Sequence, residues 1–366
     1  MGDEMREQPV VDAGSRPWGR VRHLPGGWRR WVAAICCLVV ATAVTLAVIS
    51  YNSPLRRLSR QVESWAGGQD AVLTATTQLY PEWPELLPER LVVEAEIRPE
   101  TTAAEVCELA DQLNGLFDPE AGDDIRRDLS LRLTRSGTSI VYEDQLLWPR
   151  SSVGRDWEAP HCAPLEYAYD LAGPGVEEIV ARPDSLRVTR ADADAVPTGL
   201  VARAPADAGT RATATDDVRV SGWQVEVRAD SDKTVPTEVL GPVMEALPAN
   251  DDGLVWLDSQ GDSASVRPAD SVVSLTARRL EDQPGGPTVE EQAAAVLAAA
   301  EGTPGLELVG ICASKWLADT TDDPDSTGSC VYFDLNADGA IVPDTPYPHG
   351  LADPDALYAA AQERRG

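Results

Sequence analysis

From residue 31 to residue 55 the chain carries no charged side chain, and residues 31–50 (WVAAICCLVVATAVTLAVIS) are almost wholly apolar. A helix of that length rises about 30 Å, the thickness of a bilayer's hydrocarbon core. A helix lying on a soluble core keeps a polar face, and this stretch offers none. Trp28 and Trp31 at one end and Tyr51 at the other stand where aromatic rings collect at membrane interfaces. The expectation is one transmembrane helix over residues 31–50. Residues 1–30 hold six arginines against four acids, with five of the arginines between residues 16 and 30. Arg56, Arg57 and Arg60 follow the span, but the longer basic cluster precedes it. Residues 1–30 therefore read as a cytoplasmic tail, and the rest of the chain as extracytoplasmic. A cleaved signal peptide would use the small residues Ala41-Thr42-Ala43, yet apolar residues continue through Ile49, which favours an uncleaved anchor. A lipoprotein anchor would need a small residue before Cys36, and Ile35 stands there.

The 366 residues carry a net charge of −29, with 43% hydrophobic residues. That is enough apolar material for real cores, and at roughly 100–200 residues per domain it suggests two or three of them. The acidity argues against a nucleic acid partner, because phosphates need Lys and Arg to replace their counterions. Lysine occurs only at Lys233 and Lys315, against 29 arginines, as in GC-rich bacterial coding, so a bacterial envelope is the expected setting. Cys36 and Cys37 fill the span. The four cysteines beyond it, Cys107, Cys162, Cys312 and Cys330, are even in number, as disulfides in an oxidising compartment require. Cys312 and Cys330 flank one acidic loop and are expected to pair, which leaves Cys107 for Cys162. A zinc site lacks support, since no CxxC occurs and only His161 adjoins a cysteine.

Residues 54–66 (PLRRLSRQVESWA) put Leu55, Leu58, Val62 and Trp65 at helical spacing, read as a helix leaving the membrane or a solvated stalk. Pro81, Pro84 and Pro88 suggest a stiff linker. A unit of strand, helix and two strands then recurs. In the first, LVVEAEI (91–97) alternates, Thr102 to Glu105 forms a capping box, and Val106, Leu109, Ala110, Leu113 and Leu116 make a helical stripe. LSLRLT (129–134) turns at Ser136-Gly137 into SIVYE. The second runs from WQVEVRA (223–229) through a helix around Val239–Leu247 to LVWLD (254–258) and SASVR. The third begins at SVVSLTA (271–277) and has a capping box at Thr288 to Glu291. LELVGIC (306–312) and CVYFDL (330–335) complete it. Between the first and second units, LEYAYDLA (165–172) and SLRVTR (185–190) flank a short stretch around Val176–Val180, read as a degenerate copy. The Ala-, Asp- and Thr-rich residues 191–217 read as a flexible connection, and residues after Pro354 as a closing helix. The expected fold is α+β, with layered, ferredoxin-like sandwich subdomains at residues 91–190 and 218–366. They follow the tail (1–30), the span (31–50) and the juxtamembrane helix and linker (51–90).

Chemistry is sparse. Asp334, Asn336, Asp338 and Gly339 look like the first half of a calcium loop, with oxygen ligands at alternate positions and a glycine for the sharp turn. The twelfth position is Thr345, however, and strands flank the loop, so a hairpin turned at Asp338-Gly339 is the simpler reading. No GxSxG, SxxK, HExxH, GxGxxG or GxxxxGK[ST] occurs, and no cofactor is implied. Tyr80, Trp83, Trp148, Trp157, Tyr167 and Tyr169 could line a groove but read first as core in a chain with two phenylalanines. The layout is similar to that of POTRA-bearing division and export proteins, an architectural likeness carried by no motif. The expectation is a single-pass envelope protein that binds or scaffolds an envelope partner. A tethered hydrolase of envelope polymers and a calcium-dependent adhesion module are the alternatives.

Overall fold

The computed structural model describes residues 31, 34–42, 54–81, 88–116, 126–146, 162–206, 211–259, 272–316, 330–342, 347–348 and 352–365. The chain divides into two compact units, Met1–Arg56 and Arg57–Gly366. In the first, residues 34–42 are helical (α1), and Ile35, Leu38, Val39 and Val40 are exposed. Among the described residues no helix is long and apolar enough to cross a membrane. Residues 32–33 and 43–50 of the expected span lie outside them.

The second unit is mixed α+β, built on one thirteen-stranded sheet whose spatial order follows the sequence from β1 to β13. Helix α2 (Pro54–Ala66) leads into a hairpin of β1 (Val72–Pro81) and β2 (Pro88–Ile97). Then come α3 (Ala103–Leu116), β3 (Arg126–Arg135), β4 (Thr138–Leu146), α4 (Ala163–Leu171), β5 (Val176–Arg182) and β6 (Ser185–Arg190). The sheet continues with β7 (Thr213–Val220), β8 (Trp223–Asp230), α5 (Leu240–Ala246), β9 (Leu254–Asp258), β10 (Ser274–Leu280), α6 (Val289–Ala300), β11 (Leu308–Ala313), β12 (Cys330–Asp334) and β13 (Tyr347–Pro348). Helix α7 (Pro354–Arg365) closes the chain.

The connections alternate. β2/β3, β4/β5, β6/β7, β8/β9 and β10/β11 are parallel and joined by crossovers; the other neighbours are antiparallel. Ser136-Gly137 and Ser221-Gly222 both take positive φ, the backbone of a tight type I′ hairpin whose twist matches its strands. Every crossover advances one strand in the same direction. Since such connections are right-handed, the helices collect on one face. The packing agrees: α2 reaches α3 through Trp65 Nε1–H to Gln112 Oε1 (3.2 Å), and Gln362 and Arg365 of α7 bond to Glu301 at the end of α6. The core lies between this helical layer and the sheet. One row of inward side chains runs across paired strands from Ile140 through Ile179, Val188, Asp216, Val227, Leu257 and Leu275 to Val309. All of these are buried, and all but Asp216 are apolar.

The recurring unit of the sequence is present, with differences. In a split β-α-β the parallel strands are separated by a third; here they are direct neighbours, so the sheet grows in sequence order instead of forming ferredoxin-like sandwiches. Residues 163–171 are a helix and Val176–Val180 is in a strand. The alternating tyrosines suggest a strand there, but the buried set is Leu165 and Ala168, three apart, behind a proline in the first turn. Residues 191–217 are not a loose connection: Leu200, Val201 and Ala204 are buried, and Thr213–Val220 is strand β7, bonded to β6 and β8. Residues 72–81, expected within a linker, form the first strand. The apolar side of α2 packs onto the domain, with Val62 fully buried. Both disulfides are formed, Cys107–Cys162 tying α3 to the start of α4 and Cys312–Cys330 joining β11 to β12.

Candidate interaction surface

Strand alternation sends every second side chain away from the helical layer. On this outer face each of the first three parallel junctions carries one ion pair: Arg90 with Asp128 across β2/β3, Arg182 with Glu143 across β4/β5 (2.7 Å), and Arg187 with Asp217 across β6/β7 (3.3 Å). Arg182 and Glu143 continue the register of their strands as an opposite pair, whereas Arg90 reaches Asp128 and Arg187 reaches Asp217 diagonally, two residues along the neighbouring strand, a distance that a long arginine side chain spans. Burial, reinforced by nearby Glu226, pushes the Asp217 carboxyl up, while Arg187 and Arg228 pull it the other way.

The fourth junction changes character. Trp256 on β9 lies between two guanidinium groups, Arg228 of β8 at 4.9 Å and Arg278 of β10 at 4.1 Å from its ring centroid. Glu226 pairs with Arg228 alongside. Cation–π contacts of this kind hold the indole in place between the neighbouring strands. Two strands further on, Tyr332 lies over Gly310, where an added Cβ would come within 2.8 Å of the ring. A side chain at residue 310 would lift the tyrosine off the face. Beside it, the Cys312–Cys330 bridge, Tyr332 and Leu308 form a small apolar cluster. The outer face thus grades from ion pairs to aromatic rings.

The helical side carries a groove of about 600 Å³ between α6, α7 and Trp316. Its rim is acidic, with Glu290, Glu291, Asp353 and Glu363 against Arg364. Lys315 binds Asp282 (3.0 Å) and Glu290 (2.7 Å). The Val289 backbone N–H and Lys315 hold the Asp282 carboxyl below its ordinary range. Burial opposes ionisation of Glu290, yet bonds from Lys315 and the Trp316 indole leave it lowered as well. Both carboxylates are committed to the Lys315 clasp and are poor proton donors.

The residues singled out in the sequence do not converge. Asp334 ends β12. Asn336 Oδ1 accepts from the backbone N–H groups of Asp338 (3.0 Å) and Ala340 (2.9 Å), so the middle oxygen of the calcium motif is used within the turn. A Leu335–Ile341 bridge closes the hairpin, and Gly339 (φ +76°) rests against the Thr303 backbone. Among the described residues no group of three His, Cys, Asp or Glu side chains could hold a metal ion. His161 and His349, and Trp83, Trp148 and Trp157, lie outside the described residues. Tyr169 donates to the Thr101 carbonyl (3.1 Å) beneath Arg135, a packing role, whereas Tyr80 is exposed on β1. The sandwiched Trp256 was not singled out; the signal for it was an aromatic at an outward position of LVWLD, with an arginine diagonal to it on each neighbouring strand. Compared with protein families, curated proteins and solved structures, the chain matches none.

Proposed function

We propose that the chain is a single-pass membrane protein whose N-terminal tail faces the cytoplasm and whose α+β domain lies outside, where it binds or scaffolds a protein partner at a bacterial envelope. The observation that supports binding over catalysis is the outer face of the sheet. Over β2 to β7 it presents exposed arginines held in cross-strand ion pairs, whereas among the described residues no cleft gathers a nucleophile, base and oxyanion donors. Two disulfides fit an oxidising compartment, and the uncharged stretch at residues 31–50 supports the anchor.

The test is protease treatment of intact cells with in-cell crosslinking of the full chain. The expected result is digestion of the domain with protection of the tail, retention in membranes after carbonate washing, and recurrent capture of one envelope protein. A mature chain beginning near residue 44 removes the anchor. Turnover of wall fragments by the purified full chain replaces scaffolding with hydrolysis.

A further inference from the structure

The two edges of the sheet are built differently. At one end β13 has two residues and closes on Pro348, a short, proline-bearing strand of the kind that blocks further pairing. At the other, β1 is ten residues long, VLTATTQLYP, and among the described residues its only strand partner is β2. No residue of β1 is charged, in a chain of which 25% is charged and whose net charge is −29. The charged gatekeepers that natural edges use against association are missing here. The second unit exposes two large hydrophobic side chains among its described residues, Leu73 and Tyr80, each 45% exposed, and both belong to β1.

We propose that β1 pairs antiparallel with β1 of a second copy of this chain, across a two-fold axis at Thr76, joining two sheets edge to edge. The register follows from Pro81, which has no N–H to donate. Centring on Thr76 uses the full bonding stretch from Val72 to Tyr80. Thr74 then faces Gln78 of the second copy, and Leu73 faces its Leu79. Such a contact is isologous and self-complementary. Self-pairing suits this strand because two copies of so acidic a molecule repel everywhere except at an uncharged seam. Helix α2 leaves room. It touches β1 through Ser59 and Thr77 (2.5 Å) but leans inward to α3 through Trp65 and Gln69. A helix set over β1 and β2 stands about 10 Å from its symmetry mate, an ordinary packing distance.

The inference stands whether or not the chain is anchored. The test uses the full chain in detergent, with Cys36→Ser and Cys37→Ser to silence the free thiols. Thr76→Cys should give a reductant-sensitive dimer on mild oxidation. Glu94→Cys, exposed on the neighbouring strand, should not. Thr76→Lys, which brings two like charges together at the axis, should halve the mass seen by light scattering and leave the far-ultraviolet circular dichroism of the chain unchanged. A monomeric wild-type chain, equal crosslinking at residues 76 and 94, a dimer indifferent to Thr76→Lys, or capture of a different protein at residue 76 each overturns the proposal.

Discussion

Asp216 is a residue that the fold cannot lose cheaply. It stands fully buried in an otherwise apolar row, at a parallel junction whose crossover has no helix among its described residues. Arg190 answers it with two hydrogen bonds, 2.7 and 2.8 Å, and the Val201 N–H adds a third at 3.0 Å. Arg190 also reaches the Gly199 carbonyl, so the pair clamps the loop onto the sheet. Asp216→Ala leaves a buried guanidinium unpaired and should cost about 3–5 kcal/mol in denaturant unfolding. Asp144 tests the opposite case. Burial, only partly offset by the Asn114 amide (3.1 Å), raises its pKa. The unfolded chain gives up this proton near pH 4, the folded chain later, so in between the native state holds more protons and stability falls as pH rises. Asp144→Asn should therefore match wild type below pH 4 and become progressively more stable than it as the pH rises through the folded pKa. Neither role was legible in the sequence. In ATATDDVRV (212–220) Asp216 looks like part of a polar linker, because what makes it structural is a guanidinium 26 residues earlier.

At the scale of elements, local rules held where they were strong. Both capping boxes exist: Glu105 N–H to Thr102 Oγ1 (3.3 Å) on α3 and Glu291 N–H to Thr288 Oγ1 (3.2 Å) on α6, each with the glutamate bonding back. Thr288→Ala should destabilise the domain by about 1 kcal/mol, read from the thermal midpoint. Strands with clean alternation, such as 91–97 and 223–229, were equally legible. Reading failed where period and burial parted company. Thr-rich β1 alternates only weakly in hydropathy because it is an edge, and the 191–206 loop has no period at all, since an ion pair and three scattered apolar residues hold it down. The outer face was illegible for a related reason: an ion pair between parallel strands joins residues about 39 apart, as in Arg182 and Glu143, and one chain contains no record of that register.

For the whole molecule, the two disulfides span the sheet's two halves. They close 55 and 18 residues, for which chain entropy assigns about 4 and about 3 kcal/mol. Reduction and alkylation should lower the midpoint of unfolding, with Cys107→Ser a larger loss than Cys330→Ser; equal melting with and without reductant would count against the bridges. The order of the strands has a further consequence. Each strand's partner is the one translated just before it, and nothing made late must be threaded between elements made early. A nascent chain can thus lay down the sheet one strand at a time as it emerges, with each fresh edge waiting only for the next few dozen residues. Of the two strands whose outer edge no later part of the sheet arrives to cover, only the first is long.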